Sequence, residues 1–297
     1  MKLEEALPAL AKRPISVVEG GTALLVAGTL LDTPRRDVLP IVKSARDKNT
    51  IGYLSKEPGT CLAFSGYSLI AKLLETNPKH HYKFLFQPCE SASMVVRPIS
   101  EGGANLVALL DSFAKSRFGW AMVGKGSVDA GAVVTLADLM PLYGSGILLS
   151  DLAVEEVATP KILSLPRKTK LRDALREMMR RRIRRVFLIG EESFVSDREI
   201  LEYIFSPQWL SKVRDSPGKM LEAKLEDVER VEPVLVDGKA TIKEASKLFM
   251  PESGSWCAAC DAGIVTPWDL VINPWKTGRL SIGEKAHEGS AHGEQRR

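Results

Sequence analysis

The chain has 297 residues, 44% of them hydrophobic and 26% charged, with a net charge of +4. This is the make-up of a globular chain long enough for two ordinary domains or four small ones, with too little excess charge to argue for a polyanionic partner. There is no apolar run of membrane-spanning length and no apolar signal core in MKLEEALPALAKRP, and the four cysteines are too few for a disulfide framework, so a reduced cytoplasmic setting is expected.

In chain order, Ile15–Val18, Val38–Val42 and Cys61–Ser65 read as strands. A helix is expected over Thr22–Leu31, interrupted in its periodicity by Gly28, and Ser44–Gly59 reads as a polar insertion with a candidate strand at Ile51–Leu54. Met94–Val96, Leu106–Phe118, Trp120–Val123 and Gly131–Thr135 then spell strand, helix, strand, strand, before Gly144-Ser-Gly146 breaks the pattern. The next stretch is the clearest. Leu171, Ala174, Leu175, Met178 and Met179 fall at offsets 0, 3, 4, 7 and 8, one apolar helix face. A short strand at Lys161–Leu165 precedes it, strands at Val186–Ile189 and Ser193–Ser196 follow, and a second helix runs from Asp197 to about Phe205. Beyond Pro207 and Pro217 the order repeats as Val234–Val236, Thr241–Met250, Trp256–Cys260, Gly263–Thr266 and a helix opening at Trp268. From Thr277 the chain is polar and reads as a disordered tail.

One short pattern recurs in these segments: a β-like run ending in Ser or Thr, an acidic or polar residue three places on, and an apolar helix start. Its Ser/Thr positions are 65, 135, 196 and 266, at intervals of 70, 61 and 70. Single occurrences would read as ordinary helix N-caps. Recurrence at near-even spacing implies four copies of one structural unit, grouped in two pairs.

The segments Leu171-Arg-Asp-Ala-Leu-Arg-Glu-Met-Met, Ile183-Arg-Arg-Val-Phe-Leu-Ile and Phe194-Val-Ser-Asp-Arg-Glu-Ile-Leu resemble CBS domains, named after cystathionine β-synthase. So do Ala240-Thr-Ile-Lys-Glu-Ala and Gly263-Ile-Val-Thr-Pro-Trp-Asp-Leu-Val, and, with less detail, Ala132–Met140, Val38–Val42 and Ala63–Ile70. The resemblance implies an α/β fold of tandem strand-helix-strand-strand-helix units, paired into two Bateman modules. It divides the chain into a degenerate first motif at 1–80, a second at 81–147, a third at 148–212, a fourth at 213–276 and a tail at 277–297. It also implies a regulatory protein without catalysis that binds an adenosine nucleotide (AMP, ADP, ATP or S-adenosylmethionine) in clefts between paired units. A homodimer is expected, and either that oligomer or a separate protein effector reads the signal.

By that resemblance, the Ser/Thr contacts phosphate or ribose and the acid holds the ribose hydroxyls, a task suited to a carboxylate with its several acceptor positions. The nucleotide-binding residues expected are Thr135 with Asp138, Ser196 with Glu199, and Thr266 with Asp269; Ser65 with Ser68 lacks the carboxylate. Basic residues before the middle strand occur in the third unit only, as Arg184 and Arg185, against Asp37-Val38, Phe118-Gly119 and Gly254-Ser255 elsewhere. A phosphorylated ligand is therefore assigned to the third and fourth units, and the first two bind an uncharged ligand or serve assembly.

The alternatives are a nucleic-acid-associated regulator using the Arg176–Arg185 cluster, or a scaffold with empty clefts. Cys257-Ala-Ala-Cys260 lies on an expected strand, where residues three apart face opposite sides, so buried structural cysteines are expected rather than a metal site. His80, His81, His287 and His292 lack ligand spacing and read as surface or tail residues, and Trp209 and Trp268 as packing or dimer-contact residues rather than cofactor stackers. No nucleophile, acid/base pair, Walker loop or dinucleotide fingerprint is present, which is why no enzyme is expected.

Overall fold

A computed structural model of the chain describes residues 16–31, 37–43, 57, 59–100, 105–125, 129–160, 162–250 and 257–283. The candidate strand at 51–54, Gly254 and Ser255, and the chain from 284 on, with His287 and His292, lie outside the described residues.

Four units follow one order. The first has Val18–Glu19, the helix Leu24–Leu31, Val38–Val42, Cys61–Ser65 and the helix Gly66–Glu75. Its first strand runs parallel to the second, Val18 opposite Ile41, and the second and third form a hairpin, Val38 opposite Ser65. The third unit repeats this with Ser164–Leu165 parallel to Arg185–Leu188 and antiparallel Phe194–Ser196. The fourth does so with Val234–Leu235, Ala258–Cys260 and Gly263–Val265.

The second unit departs from expectation at its first strand. Met94–Val96 pairs antiparallel with Cys61–Ser65 of the first unit, and Ile99–Ser100 is the strand parallel to Trp120–Lys125. Both segments are short and open on an apolar residue, so only the ladder partner tells them apart. Its second helix is also broken: Leu136–Leu139 is a 3-10 turn, followed by the short helix Pro141–Gly144. Pro141 has no N–H to donate back to Ala137, so an α-turn cannot run through it. Past the expected start of the tail, Ser281–Ile282 pairs with Leu148–Leu149, so regular structure continues beyond residue 277.

The recurring pattern is a local capping device in every copy. The N–H of the extended cap residue donates to the side chain three residues on: Ser65 to Ser68 at 3.0 Å, Thr135 to Asp138 at 2.8 Å, Ser196 to Glu199 at 2.8 Å and Thr266 to Asp269 at 2.9 Å. This is half of a capping box and fixes the chain's turn from strand into helix.

Two kinds of contact assemble the units. Sheets face each other within pairs: Val38, Cys61 and Ala63 against Trp120 and Met122, and Phe187 and Phe194 against Cys257. Helices form larger cores across pairs. Leu24, Leu69 and Leu73 of the first unit pack in one cluster with Leu175, Ile200 and Ile204 of the third. Leu106, Leu110 and Tyr143 of the second pack with Ile242, Phe249 and Leu270 of the fourth. The Tyr143 hydroxyl donates to the Leu270 carbonyl at 2.5 Å and the Trp275 ring N–H to Asp111 at 3.0 Å, so polar groups entering this core are paired.

His81 corrects the surface reading. It is buried, and its Nε2 donates to the Thr76 carbonyl at 3.1 Å, since it starts the short helix His81–Phe84 whose inner face meets the core. His80 is exposed. Cys257 is buried and Cys260 half-buried, and both are free thiols. Trp209 packs against the first helical core and its ring N–H donates to the Met220 carbonyl at 3.1 Å. No helix among the described residues is long and apolar enough to cross a membrane.

Candidate functional site

The two sheet seams differ in what fills them. In the first pair, Phe118 stacks on Trp120 with ring centres 5.1 Å apart, and Tyr67 meets Phe118 edge-on at 5.5 Å. Cys61 Sγ lies 3.6 Å from Met122 Sδ, and Ser65 Oγ lies 3.8 Å from Met94 Sδ. Large side chains thus pack around the first-unit motif. Asp138 is buried, accepting from the Thr135 N–H and from the Thr135 hydroxyl at 2.9 Å.

The second pair keeps two clefts. One, of about 310 Å³, is lined by Ser196, Glu199, Arg184, Arg185, Phe194 and Val234. The other, of about 390 Å³, is lined by Thr266, Asp269, Thr159, Ile162, Leu163 and Trp268, and lies where all four units meet. Asp37 of the first unit and Thr135 of the second reach its wall. Both volumes are in the range of small-molecule sites. The structure therefore brings Thr266, Asp269, Arg184, Arg185 and Thr135 around the larger cleft and Ser196, Glu199, Arg184 and Arg185 around the smaller. Asp138 lines neither.

Charge at the larger cleft is unbalanced. Arg117, Arg181, Arg182, Arg184, Arg185 and Lys276 line it against the carboxylates of Asp37 and Asp269. Some of this charge is already committed: Arg181 pairs with Glu177 at 3.0 Å, and Arg184 holds Asp197 and Asp37, each at 2.9 Å. Burial alone would raise the Asp37 carboxyl; Arg184, aided by Arg198 and Arg185, reverses this and holds it below the ordinary value. The Lys276 ammonium sits 5.2 Å from the centre of the Trp268 ring. Among the described residues, no ion pair engages Arg117, Arg182 or Lys276.

Asp269 is 4% exposed, and burial pushes its carboxyl up from the ordinary range against the hydrogen bonds of Thr266 and Thr159. Its Oδ2 accepts from the Thr266 N–H and hydroxyl at 2.9 and 2.7 Å; its Oδ1 accepts from the Thr159 hydroxyl at 2.7 Å and the Asn273 amide at 3.2 Å. Thr159 arrives from a segment that pairs with the fourth-unit hairpin, its N–H donating to the Ile264 carbonyl at 2.8 Å.

Sequence reasoning missed Arg117, Lys276, Thr159, Asn273 and Asp37. One signal was present for Arg117. It stands three residues before the strand residue Trp120, as Arg182 stands before Arg185, so the two occupy matching places in their units.

A family model for the CBS domain matches residues 154–206. Among solved structures, the chain is similar to protein MJ1225 of Methanocaldococcus jannaschii, described as a proposed archaeal homologue of g-AMPK. That match has a TM-score of 0.74 at 12% identity and covers 91% of this chain and 99% of that one. An uncharacterized conserved protein of Pyrococcus horikoshii aligns over 91% of this chain and 98% of its own, with TM-score 0.48 and 10% identity. CBSX2 in complex with AMP aligns over 43% of this chain and 98% of its own, with TM-score 0.32 and 18% identity. No curated protein matches the sequence. Identities this low speak to fold alone. Residues 154–206 thus match the CBS domain, and over its length the chain has the tandem, paired fold of the first of these structures.

Proposed function

We propose that the chain is a regulatory nucleotide sensor without catalytic activity, binding an adenosine nucleotide in the cleft lined by Thr159, Thr266 and Asp269. The observation that carries this reading is the cleft itself: apolar walls at Ile162, Leu163 and Ile264, the helix N-terminus at Pro267, and an excess of arginine and lysine at the rim. A helix N-terminus favours an anion, and apolar walls suit a base. Binding shifts the relative position of paired units, and the shift is read by a second copy in a homodimer or by a separate effector. The carboxylates on Arg176, Arg180, Arg181 and Arg184 lower the free charge of that cluster and weigh against the nucleic-acid reading.

Calorimetry with AMP, ADP, ATP and S-adenosylmethionine tests the proposal. Saturable binding of at least one is expected, and no binding at millimolar concentration refutes it. Mass spectrometry of small molecules carried through purification identifies the ligand independently.

A further inference from the structure

We propose that His81 is an acid-sensitive latch: while its ring is neutral it holds the connector between the first and second units against the connector between the third and fourth, and a second ring proton releases the two. His81 lines neither cleft, so the proposal stands apart from the nucleotide reading.

The latch is built where the two connectors meet. The 3-10 turn Pro78–His80 and the helix His81–Phe84 follow the last helix of the first unit, and both pack against the 3-10 turn Pro217–Lys219. That second connector is itself fastened to the third unit, whose Leu171 and Arg172 N–H groups donate to the Ala223 and Leu221 carbonyls at 2.8 and 3.1 Å. His81 is 1% exposed. Its Nε2–H donates to the Thr76 carbonyl at 3.1 Å, which ties the short helix back to the end of the helix Gly66–Glu75. Its Nδ1 is buried and has no hydrogen-bond partner among the described residues. A neutral imidazole tolerates this arrangement, because Nδ1 is then only a bare acceptor. A second proton makes Nδ1 a donor with nothing to receive it and places a charge in a buried junction.

The surroundings do not offset that cost. The Thr76 and Leu73 carbonyls at the helix end favour a cation. Burial outweighs them, and Arg172 of the third unit adds like-charge repulsion. Arg172 shares Glu222 with Lys170. The other charged groups on the packed elements stand at the surface. They are Lys72 with Glu75 and Asp173 with Arg176, paired at 3.2 and 3.8 Å, then Lys79 and His80 on the turn, Lys83 on the short helix and Lys219 on the opposing turn. Among the described residues, no carboxylate hydrogen-bonds the ring. The junction therefore closes on the neutral ring and opens on the cation.

The experiment is hydrogen exchange by mass spectrometry on the full chain at about pH 7.5 and about pH 5.5, corrected for the intrinsic pH dependence of exchange. One unit below the ordinary 6.5, an opened state that takes up the proton gains about tenfold over a closed state that stays neutral. Peptides spanning residues 76–86 and 217–223 should therefore exchange up to about tenfold faster in acid, while the helix Pro267–Lys276 keeps its protection. In His81→Gln, whose amide can still donate to Thr76 but does not titrate, the acid response should vanish; in His80→Gln it should remain. A rise below about threefold in both connectors overturns the proposal, as does an equal rise in the helix Pro267–Lys276 or an acid response that survives in His81→Gln. A measurement that leaves His81 in place guards against a misfolded variant: imidazole NMR of a chain with His80, His287 and His292 replaced by Gln. A ring that stays a neutral Nε2–H tautomer in the folded chain at about pH 5.5 supports the latch, and one that titrates there as an exposed histidine does overturns it.

Discussion

Replacing Arg184 by Met removes the link between the first and third units at the point where the clefts converge. Arg184 Nη1 donates to Asp37 at 2.9 Å, and its Nε donates to the two Asp197 oxygens at 3.2 and 2.9 Å. The Asp37 and Asp197 side chains are 11% and 10% exposed, while that of Arg184 is 49% exposed. Hydrogen bonds between charged groups contribute about 1.5–3 kcal/mol when sheltered and nearly nothing when fully exposed. A half-exposed cation joining two sheltered carboxylates therefore contributes about 2–3 kcal/mol in all. Urea unfolding at pH 7 should show this loss. The pH dependence carries the sign: the folded Asp37 lies below its ordinary value of 3.8, so its contribution is full well above that pH and disappears as pH falls through the folded value. The gap between wild type and Arg184→Met should narrow in strong acid, as Asp37 protonates. Adding Asp37→Asn to Arg184→Met should cost little more, since the pair is already broken. A gap under about 0.5 kcal/mol at pH 7, or one that stays constant into acid, refutes this reasoning.

Gly263→Ala places a Cβ against the Thr159 main chain at a φ of +142°, and should destabilise the chain by about 3 kcal/mol or more; an unchanged urea midpoint would deny the close approach. Asp269→Ala strips the acceptor from Thr266, Thr159 and Asn273, and should lower ligand-free stability by about 2–4 kcal/mol in thermal melts, with a neutral result denying that these hydrogen bonds hold the third unit to the fourth. Burial holds the His81 imidazole below its ordinary 6.5, opposed by its bond to Thr76. The unfolded chain therefore takes up the proton first, and stability should drop as pH falls below 6.5; His81→Gln should abolish that slope, and a slope that persists would place its origin elsewhere.

The four units were legible in the sequence because what marks them is local. A capping contact spans three residues, and an apolar helix face such as that of Leu171–Met178 is written in consecutive turns. The helix Asp197–Phe205 and the hairpins at Arg185–Ser196 and Ala258–Val265 follow from that patterning. The same locality explains the misreadings. Met94–Val96 and Ile99–Ser100 are both acceptable strands, and the choice between them rests on which distant strand each one meets. His81 looks polar in sequence and is buried because its short helix docks on a core assembled from two units.

The candidate site was half legible. Thr266, Asp269, Arg184 and Arg185 stand out by pattern and do converge on one cleft. What they do there depends on partners far away along the chain: Thr159 lies 110 residues from Asp269, and Asp37 lies 147 residues from Arg184. Those partners engage both carboxylate oxygens of Asp269 and pair Arg184 with two acids. The cross-packing of first with third and second with fourth units is of the same kind. Short-range pattern specifies each unit, because caps and amphipathic faces are formed by neighbours in sequence. Assembly of the units, and with it the charge left available in the cleft, was decided by contacts through space that no local pattern encodes.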